Sequence, residues 1–175
     1  IGYYFKSTRS HHLMIIESLE YSFKPEDGRR VIIKGRSIES ILDRRVLFLK
    51  LYLRNKDTAE EGDMGADNAE DAIRQVIDYT FMHPDDEDRK VSNLIFEYSG
   101  APVNEVLLDD CEFEKGTNVL DVVESIAKQQ NLGFQMTLNS SNQFVFKVIL
   151  GKDHTYDQSD NPFVIFSPYF NNLKS

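Results

Sequence analysis

The sequence predicts an α+β fold: antiparallel β-strands, one pair of them a C-terminal hairpin, with two or three helices. Three observations carry this. Several segments alternate apolar and polar residues with period two, two others repeat apolar residues at spacings of three and four, and turn residues separate them. The regular strand–helix alternation of a doubly wound sheet is absent.

The first strand runs from Leu13 to Phe23, where Leu13, Ile15, Leu19, Tyr21 and Phe23 alternate with Met14, Ile16, Ser18, Glu20 and Ser22. Such a pattern describes a half-buried strand. Pro25-Glu26-Asp27-Gly28 turns the chain, and Arg29 to Lys34 returns antiparallel. Ser37 is positioned to N-cap a short helix with the stripe Ile38, Ile41, Leu42. Val46 to Leu53 is a third strand by its apolar content.

Residues 57–71 hold seven acids, no base, and Gly62 and Gly65, which predicts a mobile loop over the first part. A helix follows over Asn68–Met82. Asp67 and Glu70 are spaced as a capping box, and Ala69, Ala72, Ile73, Val76, Ile77 and Phe81 form the buried stripe. His83-Pro84 ends it. Asp85 to Lys90 is a charged loop, Leu94 to Tyr98 a short strand, and Gly100-Ala101-Pro102 a turn.

The second helix spans Asn118–Gln130 with Val119, Leu120, Val123, Ile126 and Ala127 on one face, and Asn131 to Gly133 supply left-handed capping residues. Phe134–Leu138 and Phe144–Leu150 then form an antiparallel hairpin about Asn139–Asn142. Ile73, Val76, Ile77, Val123, Ile126, Phe134, Met136, Phe144 and Phe146 are expected to share one core. Pro162 to Pro168, two prolines around a short apolar run, suggests an edge strand. Asn-x-x-Asp recurs at Asn68 and Asn118, and helix capping alone accounts for it.

Charge narrows the function. With 20 Lys+Arg against 29 Asp+Glu the net charge is -9. A chain of this sign does not grip nucleic-acid phosphates or anionic lipid by charge. No apolar run reaches the ~20 residues of a membrane helix, and no signal peptide is seen. The chain begins at Ile1, so a fragment of a longer protein is expected.

Candidate chemistry fails on inspection. Asp63, Asp67 and the run Asp85-Asp86-Glu87-Asp88 lack the spacing of a calcium loop. Asp153, His154, Asp157 and Asp160 read as a polar surface loop, and His11-His12 as a solvent-facing pair. Cys111, the single cysteine, sits among Asp109, Asp110, Glu112 and Glu114, which disfavours the thiolate. Gly151-Lys152 has no upstream glycine spaced for a phosphate cradle, and no nucleophile elbow or zinc-protease motif occurs. No catalytic, cofactor-binding or metal residue is therefore assigned, and the chain is expected not to be an enzyme.

The passage Val31-Ile32-Ile33-Lys34-Gly35-Arg36-Ser37-Ile38-Glu39-Ser40-Ile41-Leu42-Asp43-Arg44-Arg45 resembles the strand–GRS–helix region of siphophage and prophage tail proteins of the Gp37-like group. These are related to baseplate hubs and to the N-terminal regions of tail-associated lysins. Further matches follow in order: the helix at Asn68 to Met82, Gly116-Thr117-Asn118-Val119-Leu120-Asp121, Leu132-Gly133-Phe134, Phe144-Val145-Phe146, and Asn161-Pro162-Phe163-Val164-Ile165-Phe166-Ser167-Pro168 with Asn172-Leu173. The resemblance covers nearly the whole chain and departs from the family in the acidic loop at Asp57 to Asp67.

The resemblance implies a structural part of a virion tail tip or baseplate hub, assembled in the host cytoplasm and sometimes prophage-encoded. Such a part joins the tail tube to distal fibre or lysin components. It further implies that residues 1–50 and 161–175 are portions of tube-like β-barrel domains and that residues 51–160 are an inserted α/β domain. The implied partners are other phage tail proteins, with a homotrimer in the full-length assembly and a monomer possible for a fragment. A partner-binding adaptor without catalysis is the alternative. Whether the acidic surface faces a DNA channel or only confers solubility stays open.

Overall fold

A computed structural model describes residues 3–6, 13–26, 28–100, 103, 108–152, 154, 157–160, 162 and 164. Among these residues nine strands make three three-stranded sheets, and two α-helices accompany them. The class is α+β, as the sequence predicts, and among the described residues no sheet closes into a barrel.

In the first sheet β1 (Tyr4–Lys6), β2 (Leu13–Lys24) and β3 (Gly28–Ser37) lie in that order, all antiparallel. Tyr21 opposes Val31 and Phe23 opposes Arg29, the pairing that the Pro25–Gly28 turn dictates. The register slips between Ile16 and Ser18, leaving Glu17 as the extra residue of a β-bulge. Across from it, a Cβ on Gly35 would lie 1.9 Å from the Ile15 carbonyl oxygen, so only glycine permits this approach.

β3 passes directly into a 3-10 helix, Ile38–Arg44. Ser37 occupies the N-cap position, but its side chain makes no capping bond, contrary to the expectation. It is still the last strand residue, paired with Met14. Ile38 and Leu42 enter the core, while the Glu39 carboxylate accepts the Met136 backbone N–H at 2.9 Å.

The expected strand over Val46 to Leu53 is shorter and later. Val46 makes one bridge to Asn118, the chain bends at Phe48 and Leu49, and β4 is Leu51–Asn55. Apolar content misled here because Phe48 and Leu49 face solvent. β4 is the centre of the second sheet, parallel to β5 (Met64–Ala66) and antiparallel to β7 (Cys111–Phe113). Neither partner strand is legible in the sequence, because each is three residues long and lies among acids. Those acids have partners: Lys50 pairs with Glu112 and Glu114, Arg54 with Asp110 at 3.0 Å, and Lys56 with Asp67. The stretch predicted as a mobile loop is thus a set of hydrogen-bonded turns and a strand.

Helix α1 (Ala69–Ile77) begins at Asn68, whose Oδ1 accepts the Asp71 N–H at 2.8 Å. Asp71 Oδ2 reaches back to accept the Asp67 N–H at 3.2 Å, so the reciprocal cap uses Asn68 and Asp71, not Asp67 and Glu70. Glu70 is instead fully buried and accepts the Ser99 N–H at 2.7 Å. The helix widens into a π-turn over Asp78–Met82 before His83-Pro84 stops it. All six stripe residues, Ala69 to Phe81, are buried. A 3-10 turn, Glu87–Arg89, punctuates the charged loop, and the expected turn at Gly100-Ala101-Pro102 lies partly outside the described residues.

β6 (Leu94–Glu97), β9 (Phe144–Leu150) and β8 (Leu132–Leu138) make the third sheet. The β8–β9 hairpin is antiparallel as predicted, but β6 joins β9 in parallel, which periodicity does not report. Helix α2 (Val119–Gln129) packs on this sheet and on α1. Its buried face uses Val122 where Leu120 was expected, Leu120 being only half-buried. Asn131 takes the left-handed backbone, φ 52°, that ends it, whereas Gly133 is a strand residue.

One cluster of buried side chains joins all this. Ile73, Val76, Ile77, Val123, Ile126, Met136 and Phe146 lie inside it, and Phe134 and Phe144 pack on its border. Leu13, Ile38, Leu42 and Leu47 belong to the same cluster, so the root of the first sheet and the helical part share one core. The expected edge strand over Pro162–Pro168 lies mostly outside the described residues, which include only Pro162 and Val164 of it.

Candidate functional site

Beyond the bulge, β2 and β3 leave the body as a two-stranded ribbon, Ser18–Lys24 against Gly28–Lys34, roughly 20 Å long at ~3.4 Å per residue. Because opposed residues share a face, Leu19, Tyr21 and Phe23 lie with Ile33, Val31 and Arg29 on one side. Ser18, Glu20 and Ser22 lie with Lys34, Ile32 and Arg30 on the other, where Lys34 pairs with Glu20. The ribbon is therefore amphipathic, and its apolar face is open. Tyr21 is 77% exposed and Phe23 70%, and Leu19, Val31 and Ile33 are exposed with them.

This corrects the half-buried strand read from the sequence. The alternation is real, but its buried face covers only the root, Leu13 to Ile16. Full burial of a Leu, Val, Ile or Phe side chain contributes ~1.5–3 kcal/mol, so Leu19, Phe23, Val31 and Ile33, open beside Tyr21, leave that contribution unrealised within the described residues. A lone two-stranded ribbon is also marginal in water.

A second apolar surface lies on the body. Val46, Phe48 and Leu49 are exposed, and the Arg89 guanidinium stacks 3.9 Å over the Phe48 ring. Beside them a groove of about 420 Å³ runs between Leu49, Tyr52, Met64, Gln75 and Tyr79.

The residues weighed for chemistry in the sequence are scattered. Cys111 is buried on β7, where its Sγ donates toward Asp109 O and Gln129 Oε1. Burial pushes its thiol above the usual range. Asp109 and Asp110 add to this, against the lowering hydrogen bond to Gln129. Asp63 Oδ2 accepts the Glu60 N–H at 3.0 Å, and Asp86 Oδ1 accepts the Asp88 N–H at 3.1 Å, so both carboxylates fasten their own turns. His154 Nδ1 lies 2.6 Å from the Pro162 carbonyl, while Asp153, His11 and His12 lie outside the described residues. Among the described residues no three His, Cys, Asp or Glu side chains gather as metal ligands, and no helix is long and apolar enough to cross a membrane.

Composition and period do signal the ribbon, but not what covers it. The apolar run from Val46 reads as a strand in the sequence, which does not report that Val46, Phe48 and Leu49 are exposed.

The family model described as Siphovirus ReqiPepy6 Gp37-like protein matches residues 4–175. No curated protein matches the chain.

Proposed function

Since the chain belongs to the siphovirus Gp37-like family, and is thus a phage protein whose partners are other phage proteins, we propose that it is a non-catalytic structural component of the tail tip or baseplate hub. In that role it joins the tail tube to distal fibre or lysin parts. The observation that carries the proposal is the ribbon, whose open face of Leu19, Tyr21, Phe23, Val31 and Ile33 needs a partner surface. The buried, hard-to-ionise Cys111 thiol and the turn-fastening carboxylates support the absence of catalysis.

On this reading residues 1–50 and 161–175 contribute to tube-like β domains and residues 51–160 form the inserted domain. The full-length protein assembles as a trimer. The groove beside Tyr79 favours the second reading, a partner-binding adaptor without catalysis.

Cryo-electron microscopy of phage particles carrying the full-length protein tests the proposal. A tail-tip density that fits this chain, with Tyr21 and Phe23 buried against a neighbour, is the expected result. Absence of the chain from the particle, or a ribbon standing free in solvent, would overturn it.

A further inference from the structure

The ribbon leaves the body at a bulge opposite a glycine, and a chain of charges spans that point. Glu17, the unpaired bulge residue, has one carboxylate oxygen 2.9 Å from Arg36 Nε and 3.0 Å from Arg44 Nη2. Arg36 Nη1 lies 3.0 Å from Asp43 Oδ2, and Asp43 also accepts two hydrogen bonds from the Asn118 side-chain amide, 2.8 Å to its carbonyl and 3.1 Å to Oδ1. Asn118 is the N-cap of α2. The chain of contacts thus runs from β2 and β3 through the 3-10 helix to the first turn of a core helix.

We infer that Glu17, Arg36, Asp43 and Arg44 form an electrostatic clamp that fixes the direction in which the ribbon projects. Below the bulge the sheet is held by other means. Leu13 is buried, Tyr4 packs edge-on against Phe144 at 5.9 Å, and its hydroxyl donates to Asn142 at 2.6 Å. Beyond the bulge the ribbon is exposed on both faces, so the ladder itself and these charges hold it. The four side chains are between a third and a half exposed, so the clamp aims the ribbon without stabilising the fold much. Exposed ion pairs weaken as salt shortens the screening length from ~10 Å at 0.1 M to ~3 Å at 1 M.

The test is the distance between spin labels placed at Lys24→Cys on the ribbon and Ser140→Cys on the β8–β9 turn, with Cys111→Ala. A narrow distribution is expected at low salt, broadening about twofold or more in 1 M salt and in Glu17→Gln with Asp43→Asn, while the melting temperature stays put. Glu20→Gln, which removes the ion pair inside the ribbon, should leave the width unchanged. An unchanged width in both salt and the double variant overturns the clamp. So does equal broadening in Glu20→Gln. The salt series uses unaltered clamp residues, so it decides the matter even where the double variant folds poorly.

Discussion

The Phe146 ring lies nearly parallel to that of Phe134, centroids 5.7 Å apart and planes inclined by 11°. Phe96 stacks from its other neighbour at 5.6 Å, and Phe146 is fully buried. Phe146→Ala should therefore destabilise the protein by ~3–5 kcal/mol, the range for deleting a large aromatic from a packed site. Denaturant unfolding checks this. A loss below ~1 kcal/mol would mean that the sheet can close the cavity.

Tyr21 and Phe23 should behave in the opposite way. Replacing both by Ser removes exposed apolar area and should change folding stability by no more than ~0.5 kcal/mol. Incorporation of the full-length protein into particles, followed by immunoblot, should fall sharply. Normal incorporation would separate the ribbon from assembly.

Gly35→Ala should not be tolerated. The new Cβ would meet the Ile15 carbonyl oxygen, a backbone atom that cannot swing away. The bulge must then shift, at a cost of ~1–3 kcal/mol. Amide exchange should quicken along residues 13–37 while the α1 and α2 amides stay protected. Unchanged exchange in the first sheet would contradict the geometry.

Cys111 gives a pH dependence. Its thiol is raised in the folded state, chiefly by burial, so the folded protein keeps this proton where the unfolded chain has lost it. The contribution is fully present below the unfolded thiol's value of ~8.5 and is lost as pH rises through the folded value. Cys111→Ala should flatten that alkaline decline in stability. Alkylation by iodoacetamide at about pH 8 should be at least about tenfold slower in the folded than in the unfolded protein. Equal rates would place the thiol at the surface.

The legible part of the fold is the part set by local pattern. The alternation from Leu13 to Phe23, the stripe from Ala69 to Phe81 and the Phe134–Leu150 hairpin each declare their type within one segment. What the sequence hides is pairing at a distance. β5 and β7 are three-residue strands because β4 recruits them, and their acids are tolerated because Lys50, Arg54 and Lys56 sit opposite. The ribbon is a different failure. Period two states correctly that one face seeks cover, but it carries no information on which molecule provides it.

The parallel pairing of β6 with β9 has a consequence for how the protein is made. Leu94 and Phe144 face each other across the register yet are fifty residues apart in the chain. At ~5–20 residues per second, β6 leaves the ribosome roughly 3–10 s before its partner exists. During that interval Leu94 and Phe96 have no sheet to join, since β9 is the neighbour of β6 in its sheet. Ribosome-bound chains that expose residues up to Ser140 should be cut by protease around β6. Those that expose Leu150 should resist. The newborn protein thus passes through a window in which β6 is unpaired, set by where one strand lies in the chain.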